Sequence, residues 1–344
     1  MNAPHGRPVT DRSAWIGEDL ARRTDEWIHR LTTREIAELE AAAKEVKGRP
    51  LHLLERRDFN LPALDRSLER IAKEVDTGLG LQLIRGFPAE QLGDDAAAAA
   101  LWAVGTRLGR VITQNAYGDL VGHVRDLGRK LGEKDVRGYD TNSELRFHND
   151  ECDIIALMCL RPAKSGGLSS IASSASVFNR LLATKPEVLP KLFAGYTFSL
   201  MGEHREGVSP VSDHLIPIFS WHADRMSCRY TINTVLQASK YTGVELTEEE
   251  RATLFAPLEA ARAPGLCINF ELEPGDIQLA NNLAVLHQRT AYEDYDEPER
   301  KRHLLRLWLA SHHPRALAPE FEERFNGGWS FRRGIPVTKV RSAA

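Results

Sequence analysis

The sequence predicts an α+β protein, with one antiparallel β core and its helices packed outside it. Two observations predict this. The first part of the chain repeats apolar residues at helical spacing, and from about residue 145 the segments become short, apolar and separated by turn residues. Helices first and strands later is the order of an α+β chain, not of alternating βαβ units. A chain of 344 residues is long for a single core but fits one elaborated β domain, and neither an internal repeat nor a low-complexity linker divides it.

The elements follow in order. Thr32-Thr33-Arg34-Glu35 fits a capping box, in which each side chain satisfies the other residue's free backbone N–H. Ile36, Leu39, Ala43 and Val46 then recur at helical spacing until Gly48 stops the run. Leu81 to Phe87 reads as a strand ended by Gly86 and Pro88. Asp94 or Asp95 is expected to cap the next helix, AAAAALWAVGTRL, which runs to Gly109. Strands and hairpins are expected in FHNDECDIIALMCL, in LSSIAS after the turn Lys164-Ser165-Gly166-Gly167, and in INFELEPGDIQLA, LAVLHQRTAY (after the turn Asn281-Asn282) and RHLLRLWLAS. Two helices interrupt them, one near Pro186 to Phe193 and one at about Thr247 to Arg262, opened by a second capping box, Thr247 to Glu250. The charge cluster from Glu293 to Arg302 reads as a solvated loop.

Composition narrows the function. Hydrophobic residues make up 42% and charged residues 27%, and a net charge of -3 is spread over interspersed signs. That leaves no basic stripe for nucleic acid. The opening MNAPHGRPVTDRSAW has no apolar h-region, and the longest apolar stretch, Ile154 to Leu160, falls far short of the ~18 residues that span a bilayer. Cys152, Cys159, Cys228 and Cys267 show no zinc-finger or CxxC spacing and read as reduced, buried thiols of a cytoplasmic protein.

The chemically suggestive point is Phe147-His148-Asn149-Asp150. On a strand, alternate side chains share a face, so His148 and Asp150 would converge on one small cation. His287, alone in an apolar strand, is the natural third ligand. Two imidazoles and one carboxylate on one face of a metal leave three positions open, the arrangement favoured by non-haem Fe(II) oxygenases. HxD alone also occurs as a structural pattern, and a lone histidine in a strand is commonly a hydrogen-bonded core residue. Downstream, Arg302, Leu304, Arg306 and Trp308 share one strand face. Two guanidinium groups on an apolar strand need an anionic partner, either an acid from another segment or a ligand carboxylate.

Taken together, FHND, LRPAKSGGLSSIAS, NNLAVLHQRTAYEDY and RHLLRLWL resemble, in order, the motifs of the taurine dioxygenase/TfdA-like Fe(II)- and 2-oxoglutarate-dependent oxygenases, over roughly residues 80 to 335. The resemblance implies a double-stranded β-helix, or jelly roll, with flanking helices. Residues 1–79 would be an N-terminal helical segment packed on the core. Residues 80–344 would form the oxygenase domain, with a long insertion between about 175 and 265, the whole being one structural unit. It implies Fe(II) held by His148, Asp150 and His287, with Arg302 on the distal carboxylate of 2-oxoglutarate. Ser169, or in its place Ser170, falls where the family has a threonine that hydrogen-bonds the cosubstrate. Arg306 would lie near the substrate's acidic group. Asp150 favours hydroxylation over halogenation, because halogenating relatives lack that carboxylate.

The implied reaction consumes 2-oxoglutarate and O2, releases succinate and CO2, and oxidises a C–H bond of a small anionic or amino-acid-like substrate. Gln114, Asn115, Asp153, Trp221, His222 and Arg225 are further candidates for substrate contact, although Asp153 falls on the opposite face of a regular strand. Helices outside such a barrel would also suit a homo-oligomer. Two other readings use the same residues. A non-oxidative zinc or manganese enzyme would leave Arg302 without an obvious task. A catalytically silent jelly-roll binding protein would not need the three ligands to converge.

Overall fold

A computed structural model describes residues 6–130, 137–204, 206–322 and 332–340. Short helices at Gly17–Ala21 and Thr24–Trp27 lead into β1 (Ile28–Arg30). Helices Thr33–Glu45 and Pro62–Thr77 precede β2 (Leu81–Arg85), and helix Asp94–Leu108 runs directly into β3 (Gly109–Ile112). Next come β4 (Gly122–Val124), β5 (Leu145–His148), β6 (Ile154–Arg161), β7 (Ser165–Gly166) and β8 (Ser169–Ser173). Helices Ser174–Thr184 and Leu189–Ala194, the ribbon β9 (Phe219–His222) and β10 (Arg225–Cys228), and helices Ile232–Thr242 and Glu248–Ala261 fill the long insertion. The chain closes through β11 (Cys267–Phe270), β12 (Ile277–Asn281), β13 (Val285–Arg289), β14 (Tyr292–Glu293) and β15 (His303–Ser311).

Two sheets carry the architecture. The larger has the order β1-β2-β12-β6-β15-β3, with β4 also beside β15; the smaller has the order β11-β8-β13-β5. All their pairs are antiparallel except β1 with β2. The period of two sorts the side chains. Ile154, Ala156 and Met158 join Leu305, Leu307 and Leu309 in the core beneath the helices that carry Leu39, Leu68, Ile71 and Trp102. The alternate residues Ile155, Leu83 and Trp308 meet Ile171, Ile268 and Val285 of the smaller sheet, so the two inner faces share one core. On the far side, Ala172 and Leu286 pack under the helices of the insertion. Helices therefore cover both outer faces.

Both capping boxes form as expected, at Thr32/Glu35 and at Thr247/Glu250. Other expectations need correction. Gly93 takes the cap position of helix Asp94–Leu108, while Asp94 and Asp95 sit in its first turn, where carboxylates complement the positive end of the helix dipole. Two helices in the insertion is too few. Ser174–Thr184 and Ile232–Thr242 are also helical; Ser173 caps the first of these by accepting from the Ser176 N–H. The segment before residue 80 supplies β1 as well as helices. Cys267 is half-buried rather than buried, and all four thiols are free. Among the described residues, no helix is long and apolar enough to cross a membrane.

Close packing of β15 on helix Asp94–Leu108 depends on a glycine. A Cβ at Gly105 would lie 2.7 Å from Leu307 Cδ1, so the leucine rests against bare backbone. Leu307→Ala is expected to destabilise the fold by about 2–5 kcal/mol, read from the denaturant midpoint at unchanged slope. A loss below ~1 kcal/mol would contradict this packing.

Candidate active site

His148 and His287 are brought together by strand pairing. They are direct cross-strand partners on β5 and β13, and their ring centroids lie 4.3 Å apart. Asp150 arrives differently from the expectation of a continuous strand, because β5 ends at His148. Side-chain and backbone bonds instead fix the turn beyond it. The Asn149 N–H donates to Tyr230 O (2.9 Å), Asn149 Nδ2 donates to Val285 O (2.7 Å), and the Asp150 N–H donates to Asn282 Oδ1 (3.0 Å). One ligand atom from each of His148, Asp150 and His287 then lies within 4.8 Å of the others.

The electrostatics suit a divalent cation. His148 Nδ1 lies 2.8 Å from Arg146 O and so takes the donor role, which leaves Nε2 as the nitrogen facing the site, 3.9 Å from Asp150 Oδ1. Burial, with help from His148 and Arg306, pushes the pKa of His287 down to about 3, so the ring is neutral as a ligand must be. Its Nδ1 is buried without a hydrogen-bond partner. Burial alone would raise the pKa of Asp150. Arg306 first, then His287, His148 and the Trp308 N–H, more than offset that and hold the carboxyl below its usual range. Asp150 Oδ2 accepts from Arg306 Nη1 (3.3 Å) and Trp308 Nε1 (3.1 Å), and Oδ1 faces His148. A fixed anion and two imidazoles make a donor set that fits Fe(II).

Arg306 is buried and clamped. Its Nε donates to Gln114 Oε1 (2.7 Å), and the guanidinium lies 4.5 Å from the Tyr139 ring centroid. Gln114 in turn donates from Nε2 to Leu120 O and Arg306 O, so the structure places it behind the arginine with both ends occupied. Arg302 is also buried, its Nη1 has no partner, and its guanidinium lies 5.0 Å from the Tyr292 ring centroid. The register of β8 on β13 separates the two serines. Ser169 lies opposite Arg289 and Ile171 opposite His287, which puts Ser169 on the face of the metal ligands; Ser170 lies on the other face, near Gln288.

The remaining candidates lie elsewhere. Asn115 orders its own turn through Asp119 and the Tyr117 N–H. Asp153 is buried against Arg332 Nε (3.1 Å) and accepts from the Ser311 N–H. Arg225 donates to Asp76 O from the β9–β10 ribbon, which also carries Trp221 and His222. Sequence reasoning missed Asn282 and the indole of Trp308 as partners of Asp150, and it gave Arg289 no role. The signal for Arg289 was present in HQR, a second cation on the face of His287.

The family model described as taurine catabolism dioxygenase TauD, TfdA family matches residues 47–308. The chain belongs to this family. The match begins earlier than the resemblance in the motifs and ends inside β15. FR-33289 synthase of Streptomyces rubellomurinus is 34% identical over 309 residues, covering 88% of this chain and 90% of that protein. Taurine hydroxylase-like protein SAT17 of Stachybotrys chartarum is 26% identical over 92% of this chain and 85% of its own length. Among solved structures, an asparagine oxygenase in complex with Fe(II), 3-hydroxyasparagine and succinate superposes with a TM-score of 0.64 at 17% identity, over 83% of this chain and 93% of that one. The non-heme iron oxygenase OrfP with Fe and alpha-ketoglutaric acid does so with a TM-score of 0.60 at 15% identity, over 83% and 94%. The chain is an Fe(II)- and 2-oxoglutarate-dependent dioxygenase, with O2 as its other cosubstrate.

The indole N–H on Asp150 orients one oxygen and frees the other. Trp308→Phe is expected to lower Fe(II) affinity by about 10–100-fold, as loss of such an outer hydrogen bond does in metal sites. Anaerobic metal titration checks this, and unchanged affinity would contradict the orienting role.

Proposed function

We propose that the chain hydroxylates a C–H bond of a small anionic or amino-acid-like substrate, with release of succinate and CO2. The observation that carries the reading is the convergence of His148, Asp150 and His287, in a chain that also keeps a buried guanidinium, Arg302, with an unfilled donor. On this reading the three side chains hold Fe(II), which when bound supplies activation of O2. Arg302 takes the distal carboxylate of 2-oxoglutarate in its planar fork, and Ser169, on the ligand face, donates its hydroxyl to the same molecule. The two facing sheets close as a double-stranded β-helix. Residues 1–79 buttress the larger sheet, residues 80–344 carry the site, and the insertion at 175–265 covers the substrate side.

The chain's own residues would do three things. Trp308, bonded to Asp150, and Ile171, opposite His287, are both buried and keep water from the reacting centre. Asp150 stays ionised and oriented through Arg306 and Trp308. Arg306, with Nε on Gln114 and Nη1 on Asp150, turns its remaining nitrogen to the substrate's acidic group. Relatives of this fold crystallised with 3-hydroxyasparagine and with (3S)-hydroxy-L-Arg support an amino-acid-like substrate. Free thiols suit a reducing compartment, and a cytoplasmic site of action is part of the reading.

Screening small amino acids and organic anions for O2-dependent succinate release tests the reaction. His148→Ala and Asp150→Ala should each abolish iron retention and succinate formation; full activity in either variant would refute the ligand set. Arg302→Gln should weaken 2-oxoglutarate binding by about tenfold or more while iron affinity holds, and an unchanged cosubstrate affinity would reject its role.

A further inference from the structure

Resting on the reading of Arg302 as the residue that meets 2-oxoglutarate, we infer that the distal carboxylate is held by two guanidinium groups, Arg302 and Arg289. Arg289 ends β13 two residues after the metal ligand His287, on the same sheet face and directly opposite Ser169. It is only 5% exposed. One nitrogen, Nη2, donates to the carbonyl oxygens of Thr141 and Ser143, which fixes the plane of the group. The other two, Nε and Nη1, are buried with no partner.

Arg302 presents the same situation from β15's leading edge, with Nη1 unpartnered. The two guanidinium groups lie 4.7 and 5.0 Å from the centroid of one ring, that of Tyr292, and the Tyr292 hydroxyl is itself buried without a partner. Three N–H-bearing nitrogens and one hydroxyl thus lack a partner around this one ring. Gly167 lies against Arg302 and Tyr292, since a Cβ there would lie 3.3 Å from Arg302 Nε and 3.5 Å from Tyr292 Cβ.

Among the described residues no acid forms an ion pair with either guanidinium. Asp294 acts on Arg302 through its charge, but its Oδ1 accepts from the backbone N–H of Arg302 and its buried Oδ2 has no hydrogen-bond partner. Asp126 acts on Arg289 only as the last of its electrostatic neighbours. Two buried guanidinium groups that share one ring place like charges close together. Leaving such groups unpaired is costly, and a carboxylate between them relieves both the repulsion and the missing hydrogen bonds. A carboxylate has lone pairs enough to accept from both arginines and from Tyr292.

The alternative is that Arg289 is only a clasp for the segment carrying Thr141 and Ser143. The two roles separate on a ligand that lacks the distal carboxylate. Fe(II)-loaded protein is titrated anaerobically by calorimetry with 2-oxoglutarate and with 2-oxopentanoate, which keeps the chelating end and ends in a methyl group. Arg289→Gln should weaken 2-oxoglutarate by about tenfold or more and leave 2-oxopentanoate within about twofold. Arg289→Lys, which keeps a cation and a donor for the carbonyls, should fall between Arg289→Gln and wild type. Equal weakening of both ligands, or no change for either, in the Gln variant overturns the inference. If Gln does not fold, a Lys variant with wild-type preference for 2-oxoglutarate overturns it. Arg302→Gln in the same titrations distinguishes the failures. Lost discrimination there but not at Arg289 sinks only the second guanidinium, whereas no loss at either sinks the cosubstrate site as read.

Discussion

Antiparallel pairing of β5 with β13 is the constraint on which the site depends. It sets His148 opposite His287, so two residues far apart in the chain become neighbours through backbone hydrogen bonds alone. A one-residue slip of either strand would turn its imidazole to the outer face beneath the insertion's helices, so the packing that fixes register also brings the two rings together. The next strand pair extends the same logic. β8 lies on the other edge of β13 and places Ile171 and Ser169 beside His287 and Arg289. His287, Arg289 and Ser169 thus sit on rungs of one ladder.

Charge then decides how the buried groups behave. Asp150 is held ionised by Arg306, and the same arginine helps to keep His287 neutral. Around Arg306, every donor named has an acceptor. Around Arg289, Arg302 and Tyr292, several have none. Two of the Arg306 nitrogens are thus held by groups of the chain, whereas Arg289 and Arg302 keep buried donors without a partner.

Much of this was legible in the sequence. The capping boxes, the strand Leu81–Arg85 and the apolar run of β6 depend on local chemistry, and the structure has them near where the residues placed them. The ligand trio was named because histidine and carboxylate side chains in short apolar strands need a reason to be there. What could not be read depended on non-local geometry. Asp150 reaches the site through Asn282 and a turn rather than through strand alternation. Helix Pro62–Thr77 is an exception, since Leu64, Leu68, Ile71 and Val75 on its buried side give it a local period. Gln114 looked like a polar group near a pocket, and only coordinates show both its ends bonded behind Arg306.

The most direct test of this account is anomalous diffraction at the iron edge from crystals grown without oxygen in the presence of Fe(II) and 2-oxoglutarate. The account predicts a single strong peak in bonding contact with His148, Asp150 and His287, and a cosubstrate whose far end reaches toward the arginines beside Tyr292. Iron bound at other side chains, or a cosubstrate pointing away from those arginines, would contradict it.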